Sequence, residues 1–172
     1  MKLKFTKIRD VKSPEKGTKG SLGYDFFLPT LNEEMIDLLH NLNKCFANVK
    51  INKELSKSLI IPPHTDILIP SGIHIKTPLN TGLLLINKSG VALKQKFDIL
   101  ACLIDEDYEG EVHFHLLNTS AKIIEINNNQ KIVQGIIIPN YNCSLKEVDN
   151  IDNLYKGYKS ERKGGNFGST GI

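Results

Sequence analysis

Three short stretches combine residue types that can do chemistry. In "INKSG", residues 86–90, a run of leucines ends in Lys88, Ser89 and Gly90. A cation, a hydroxyl and a glycine with approachable backbone N–H groups suit phosphate oxygens, although by itself the triplet reads as an ordinary turn. In "ILACLIDEDYEGEV", residues 99–112, an apolar strand delivers Asp105, and a turn with Asp107, Tyr108 and Gly110 sends the chain back along "EVHFHL" as a hairpin. A carboxylate on an apolar strand can be shielded enough to act as a general base, ionised at neutral pH from its ordinary pKa of about 3.9. On spacing alone, an aspartate capping turn amides is the simpler account. The third stretch is "ERKGGNFGSTGI", residues 161–172, which cannot pack by itself. Gly164, Gly165 and Gly168 permit close backbone approach, Ser169 and Thr170 offer hydroxyls, and Arg162 brings a fork-shaped cation suited to phosphate. Phe167 costs little to expose, whereas a base stacked on it gains ~1–3 kcal/mol. A disordered glycine tail gives no reason for ring, arginine and hydroxyls to occur together.

These residues need a frame, and most of the chain reads as short strands. "KLKFTKI", "SLIIP", "DILIP", "GIHIKTP", "GLLLIN", "DILACLID", "EVHFHLL", "KIIEI" and "KIVQGIIIP" are apolar runs separated by Gly, Pro, Asn and Ser. That spacing predicts a sandwich or barrel. In "EVHFHL", Val112, Phe114 and Leu116 share one face and Glu111, His113 and His115 the other. One segment breaks the pattern: Met35, Leu38, Leu39, Leu42 and Phe46 recur at helical spacing. Thr30 and Glu33 have the form of a capping box, which predicts one helix over about 31–47. From about Asp149 the apolar periodicity fades, predicting a domain over 1–158 and a mobile arm over 159–172.

Composition narrows the classes. The chain has 172 residues, 40% apolar and 24% charged, enough for one domain with a real core. A net charge of +3, with lysines spread along the chain, does not make nucleic acid the default partner. No apolar run approaches the ~20 residues of a membrane span, and "MKLKFTKIRD" lacks the apolar stretch of a signal peptide. Cys45, Cys102 and Cys143 are an odd number without metal-site spacing and read as reduced thiols of a cytoplasmic protein.

Taken in order, "GYDFFLP" (23–29), "NKSG" (87–90), "LIDEDYEG" (103–110), "QKIVQG" (130–135) and "RKGGNFGSTG" (162–171) resemble the five motifs of the trimeric deoxyuridine triphosphate nucleotidohydrolases, the dUTPases. "IPSGIHIKTPLNTGLLL" fits the family's approach to its second motif, and the likeness covers nearly all of the chain outside residues 31–58. It implies an all-β, jelly-roll-like barrel with one inserted helix and a flexible arm, assembled as a homotrimer with active sites between subunits. It implies hydrolysis of dUTP to dUMP and pyrophosphate, with Mg2+ held by the triphosphate and water. Asp105 matches the residue that activates the attacking water. Tyr108 matches the one that lies under the deoxyribose and excludes a 2′-hydroxyl. Uracil is then read by backbone around Ala101, Cys102 and Leu103 and at His113. Lys88, Ser89, Gly90 and Gln134 match phosphate-contacting positions. Arg162, Phe167, Gly168, Ser169 and Thr170 match the closing arm, and Asp25 a supporting aspartate.

The chain also departs from the family pattern. Lys88 stands where arginine is usual, keeping the charge without the bidentate fork. Cys102 stands where glycine is usual, "NNQK" replaces the usual Gly-Asp opening of the fourth motif, and Asn166 replaces a glycine of the arm. The similar dCTP deaminases carry a catalytic glutamate ten positions after the strand aspartate, and here that position is His115. His113 and His115 form a His-x-His pair that could hold a metal, but no third ligand is visible and a packed strand face accommodates both. A nucleotide-sensing module in which dUTP orders the arm is a second class of function, and the inserted helix is a candidate surface for a protein partner.

Overall fold

The computed structural model describes residues 1–43, 50–52 and 58–159. In chain order the first half holds β1 (Lys4–Lys7), β2 (Tyr24–Phe27), α1 (Glu33–Leu42), β3 (Lys50–Asn52), β4 (Ser58–Ile61) and β5 (Asp66–Lys76). The second half holds β6 (Thr81–Asn87), α2 (Ser89–Gln95), β7 (Phe97–Ile99), β8 (Leu103–Ile104), β9 (Glu111–Asn118), β10 (Ile124–Asn127), β11 (Lys131–Pro139) and α3 (Ile151–Leu154). Among the described residues the strands pair as three sheets, β1-β5-β9-β7, β10-β4-β3 and β2-β11-β6-β8. The all-β expectation therefore holds, in the form of three sheets instead of one closed barrel.

Alternation decides which way each strand faces. In β9, Val112, Phe114, Leu116 and Asn118 point inward, while Glu111, His113, His115 and Leu117 stay half-exposed. Phe114 meets Phe26 of β2 edge-on, with ring centroids 5.9 Å apart, so the first and third sheets share a core. Leu59 and Ile61 of β4 and Ile124 and Ile126 of β10 bring the three-stranded sheet onto the same cluster. Each such buried side chain contributes roughly 1.5–3 kcal/mol.

Several elements differ from the sequence reading. "DILIP" and "GIHIKTP" form the single strand β5, whose register against β9 shifts between Pro70 and His74. A bulge there tolerates the proline, which has no N–H for the ladder. The Gly72 N–H donates to Glu111 Oε1 at 2.6 Å, and the Arg9 guanidinium grips both oxygens of that carboxylate at 3.2 and 3.1 Å. "DILACLID" is broken instead of continuous: β7 pairs with β9 and β8 with β6, so Leu100–Cys102 carries the chain from one sheet to another. β8 and β9 consequently do not form the expected hairpin.

The helix begins at Glu33, with Asn32 and not Thr30 as its cap: Asn32 Oδ1 accepts the Met35 N–H at 2.9 Å. Thr30 is engaged one turn earlier, its N–H donating to Asp10 O and its carbonyl accepting from Asn32 N–H. Met35, Ile36 and Leu39 bury the apolar face of α1, and the helix closes at Asn43; residues 44–47 of the expected helix lie outside the described residues. Two further helices, α2 and α3, were not expected.

The chain divides into two compact units, Met1–Tyr141 and Asn142–Ile172. In the second, α3 is capped by Asn150, whose Oδ1 accepts the Asn153 N–H at 2.9 Å. Among the described residues no helix is long and apolar enough to cross a membrane.

Candidate functional site

Neighbouring strands gather one group of the expected residues. In the register of β2 against β11, Asp25 faces Gln134, and Gln134 in turn faces Ile86 of β6, two residues before Lys88. Asp25 is only 1% exposed. Its Oδ1 accepts from Lys88 Nζ at 2.9 Å and from Gln134 Nε2 at 3.4 Å, and its Oδ2 accepts from Lys131 Nζ at 3.0 Å. Lys131 also reaches Glu15 Oε1 at 2.9 Å. Burial pushes the Asp25 carboxyl upward, but hydrogen bonds and charge from Lys88 and Lys131 outweigh it and hold the group below its ordinary 3.8. A lysine ammonium has three donors, so Lys88 keeps N–H groups beyond the one spent on Asp25.

Ser89 and Gly90 are not in a turn. They form the first turn of α2, with Lys88 as its extended N-cap residue, and both are exposed. The Val91 and Ala92 N–H groups donate to the Lys88 carbonyl, whereas the N–H groups of Ser89 and Gly90 precede any intrahelical acceptor, so this strand-to-helix junction presents those two donors and the Ser89 hydroxyl beside the Lys88 ammonium.

The second group sits elsewhere. Asp105 follows β8 directly and is exposed in the single chain, not shielded as expected, because β8 has only two residues. It lines a cleft of ≈ 260 Å³ with Thr81, Leu103 and Ile138 among others. Its carbonyl accepts the Tyr108 N–H at 3.3 Å, closing a turn, and the Tyr108 hydroxyl donates to the Glu111 carbonyl at 2.9 Å. Tyr108 borders a groove of ≈ 400 Å³ against Phe5, Thr6, His74 and Lys76. Ala101 and Leu103 are exposed and Cys102 half-buried, with the Cys102 carbonyl already accepting the Leu85 N–H at 2.7 Å. A ring nitrogen of His113 lies 2.8 Å from the Glu111 carbonyl.

One chain keeps the two groups apart. Ile104 pairs with Leu83 near the start of β6, whereas Lys88 lies just past its end. Asp105 thus stands beside Gly82, and six residues at about 3.3 Å each separate it from Lys88 by roughly 20 Å. The arm residues Arg162, Phe167, Gly168, Ser169 and Thr170 lie outside the described residues, as does Cys45.

His115 is accounted for structurally, with its Nε2 2.6 Å from Asp66 Oδ2. Among the described residues no three His, Cys, Asp or Glu side chains group as a metal site. Sequence reasoning missed Lys131 and Glu15. Strict alternation sends residues 131 and 134 to opposite faces of a strand. The register of β11 shifts between Lys131 and Val133, and that extra residue turns Lys131 and Gln134 to the same side, onto Asp25. The lysine itself was visible in "QKIVQG"; the bulge was not.

Residues 54–171 match the family model described as dUTPase. A deoxyuridine 5′-triphosphate nucleotidohydrolase of Gloeothece citriformis is 34% identical over 118 residues, 67% of this chain and 77% of that protein. One from Hydrogenobaculum is 29% identical over 175 residues, 100% of this chain and 99% of that protein. Among solved structures, the dUTPase of Staphylococcus bacteriophage 80alpha with dUPNHPP superposes with a TM-score of 0.74 at 19% identity, covering 99% of each chain.

Proposed function

The chain belongs to the dUTPase family, and on that premise we propose that it hydrolyses dUTP to dUMP and pyrophosphate in sites completed by a second copy of itself. The observation that supports shared sites is the roughly 20 Å along β6 between Asp105 and Lys88. A nucleotide places its α-phosphorus only a few bonds from its other phosphates, so one chain does not offer water activation and phosphate binding to the same molecule. A closed symmetric oligomer, here a homotrimer, brings the Asp105 turn of one copy against the Lys88 junction of the next.

In that site the Asp105 carboxylate takes a proton from a water held in line with the α-phosphorus. The water oxygen bonds to phosphorus, the bond from phosphorus to the bridging oxygen breaks, and pyrophosphate departs. Lys88, Ser89, Gly90 and Gln134 hold phosphate oxygens, with Asp25 keeping Lys88 and Gln134 aimed. Tyr108 lies under the sugar and excludes a 2′-hydroxyl, while backbone at Ala101–Leu103 and residue His113 read uracil. The arm over 159–172 closes with Phe167 on the base and Arg162, Gly168, Ser169 and Thr170 on the phosphates, expelling water.

Mg2+ fits this donor set as a companion of the triphosphate, because the nearest buried carboxylate, Asp25, is committed through both oxygens to lysines. Arriving with the triphosphate, it would supply neutralisation of phosphate charge beside Lys88. The free thiols Cys102 and Cys143 agree with the reducing cytoplasm.

The test is pyrophosphate release from dUTP, dTTP, dCTP and UTP with Mg2+, with Asp105→Asn in parallel. Release from dUTP alone, reduced by about 10²-fold or more in the variant, supports the reading. Equal turnover of dTTP or ammonia release from dCTP overturns it.

A further inference from the structure

We propose that His74 and Lys76, which lie outside the five motifs, are positioning residues that aim Asp105 and Tyr108. This rests on the assignment of those two residues above. Alternation in β5 buries Ile73 and Ile75 and sends His74 and Lys76 out on one shared face. From that face Lys76 Nζ donates to the Glu106 carbonyl at 2.8 Å, and His74 Nδ1 lies 2.8 Å from the Glu109 carbonyl. A carbonyl only accepts, so the second bond requires a proton on Nδ1.

The turn has little else to fix it. Within the single chain Asp105, Asp107, Tyr108 and Glu109 are all exposed, so none of them is anchored in the apolar core. Among the described residues its other ties include the Tyr108 bonds to Asp105 and Glu111 and the Asn80 N–H on Glu106 Oε2 at 2.8 Å. The two pinned carbonyls follow the two functional side chains by one residue each, Glu106 after Asp105 and Glu109 after Tyr108. Lys76 therefore governs where the carboxylate points, which acts on the chemical step, and His74 governs where the ring lies, which acts on sugar selection. Misplacement of a reacting group by 1 Å can cost about 10²-fold, so loss of one pin from an otherwise folded turn is expected to cost less than that.

The experiment compares Lys76→Met, Lys76→Arg, His74→Leu and His74→Asn with wild type and Asp105→Asn, using steady-state kinetics on dUTP and UTP and thermal unfolding of the same samples. Lys76→Met is expected to lower kcat on dUTP about tenfold with KM nearly unchanged, and Lys76→Arg, which retains a donor, to restore it. His74→Leu is expected to narrow the kcat/KM preference for dUTP over UTP about tenfold, and His74→Asn, whose amide N–H can replace Nδ1–H, to recover it. Wild-type kcat and sugar preference in the Met and Leu variants overturn the proposal, as do losses that Arg and Asn fail to recover or that follow the melting temperature. Full activity in Asp105→Asn overturns the underlying assignment as well, whereas its loss with unaffected His74 and Lys76 variants overturns only this inference.

Discussion

Lys88 Nζ lies 2.9 Å from Oδ1 of an Asp25 that is 1% exposed, and Lys131 Nζ lies 3.0 Å from the other oxygen. Asp25→Asn keeps the shape but leaves two ammonium groups without their shared counter-ion. It is expected to lower stability by about 1–3 kcal/mol in a denaturant titration, the cost of stranding buried or half-buried polar partners. The sign of the pH dependence follows from the depressed carboxyl. Its contribution is complete above the ordinary value of 3.8 and is lost as pH falls through the lower folded-state value. Wild type and Asp25→Asn should therefore differ near neutrality and converge in acid below 3.8. A stability gap that persists unchanged into strong acid would show that the pair is not what stabilises this corner.

The separation of Asp105 from Lys88 along β6 allows a complementation test. Asp105→Asn and Lys88→Ala chains are each expected to be nearly inactive on dUTP. Mixing them under conditions that exchange subunits should restore activity, because some sites then receive Asp105 from one chain and Lys88 from the other. Activity is read as pyrophosphate release before and after exchange. A mixture no more active than its components would place both residues of each site on one chain.

Much of the frame could be read from the pattern. Alternation in "EVHFHL" correctly separated Val112, Phe114 and Leu116 from Glu111, His113 and His115. Alternation is a local property, set by the pleat. The features that were missed depend on partners distant in sequence. The helix starts at Glu33 with Asn32 as its cap, after a segment in which Thr30 N–H is held by the Asp10 carbonyl and Leu31 N–H by Asn128 Oδ1 at 3.0 Å, neither of which spacing reveals. "DILACLID" reads as one strand, yet its two ends pair with different sheets. Lys131 joins Asp25 only through a bulge. In the candidate site, residue types and order were legible, and their grouping was not. The sequence places Asp105 seventeen positions after Lys88, and only the pairing of β8 with β6 puts them at opposite ends of a strand.

Gly23 tests how closely the Gln134 side chain is held. A Cβ at this position would lie 2.5 Å from Gln134 Cγ and 3.0 Å from the Gly135 carbonyl oxygen. The first contact is with the stem of a side chain and the second with backbone, so rotating the end of Gln134 does not relieve the crowding. Gly23→Ala is expected to displace Gln134 from Asp25 and to lower stability by about 1–3 kcal/mol, as overpacking does. Because Gln134 is assigned to phosphate and Asp105 stands in the turn after β8, away from Gly23, KM for dUTP should rise more than kcat falls. Unfolding and steady-state measurements on the same preparation separate the two effects. A Gly23→Ala protein with wild-type KM would mean that β2 moves away from β11 without disturbing Gln134, and that Gln134 is aimed by the β11 bulge alone.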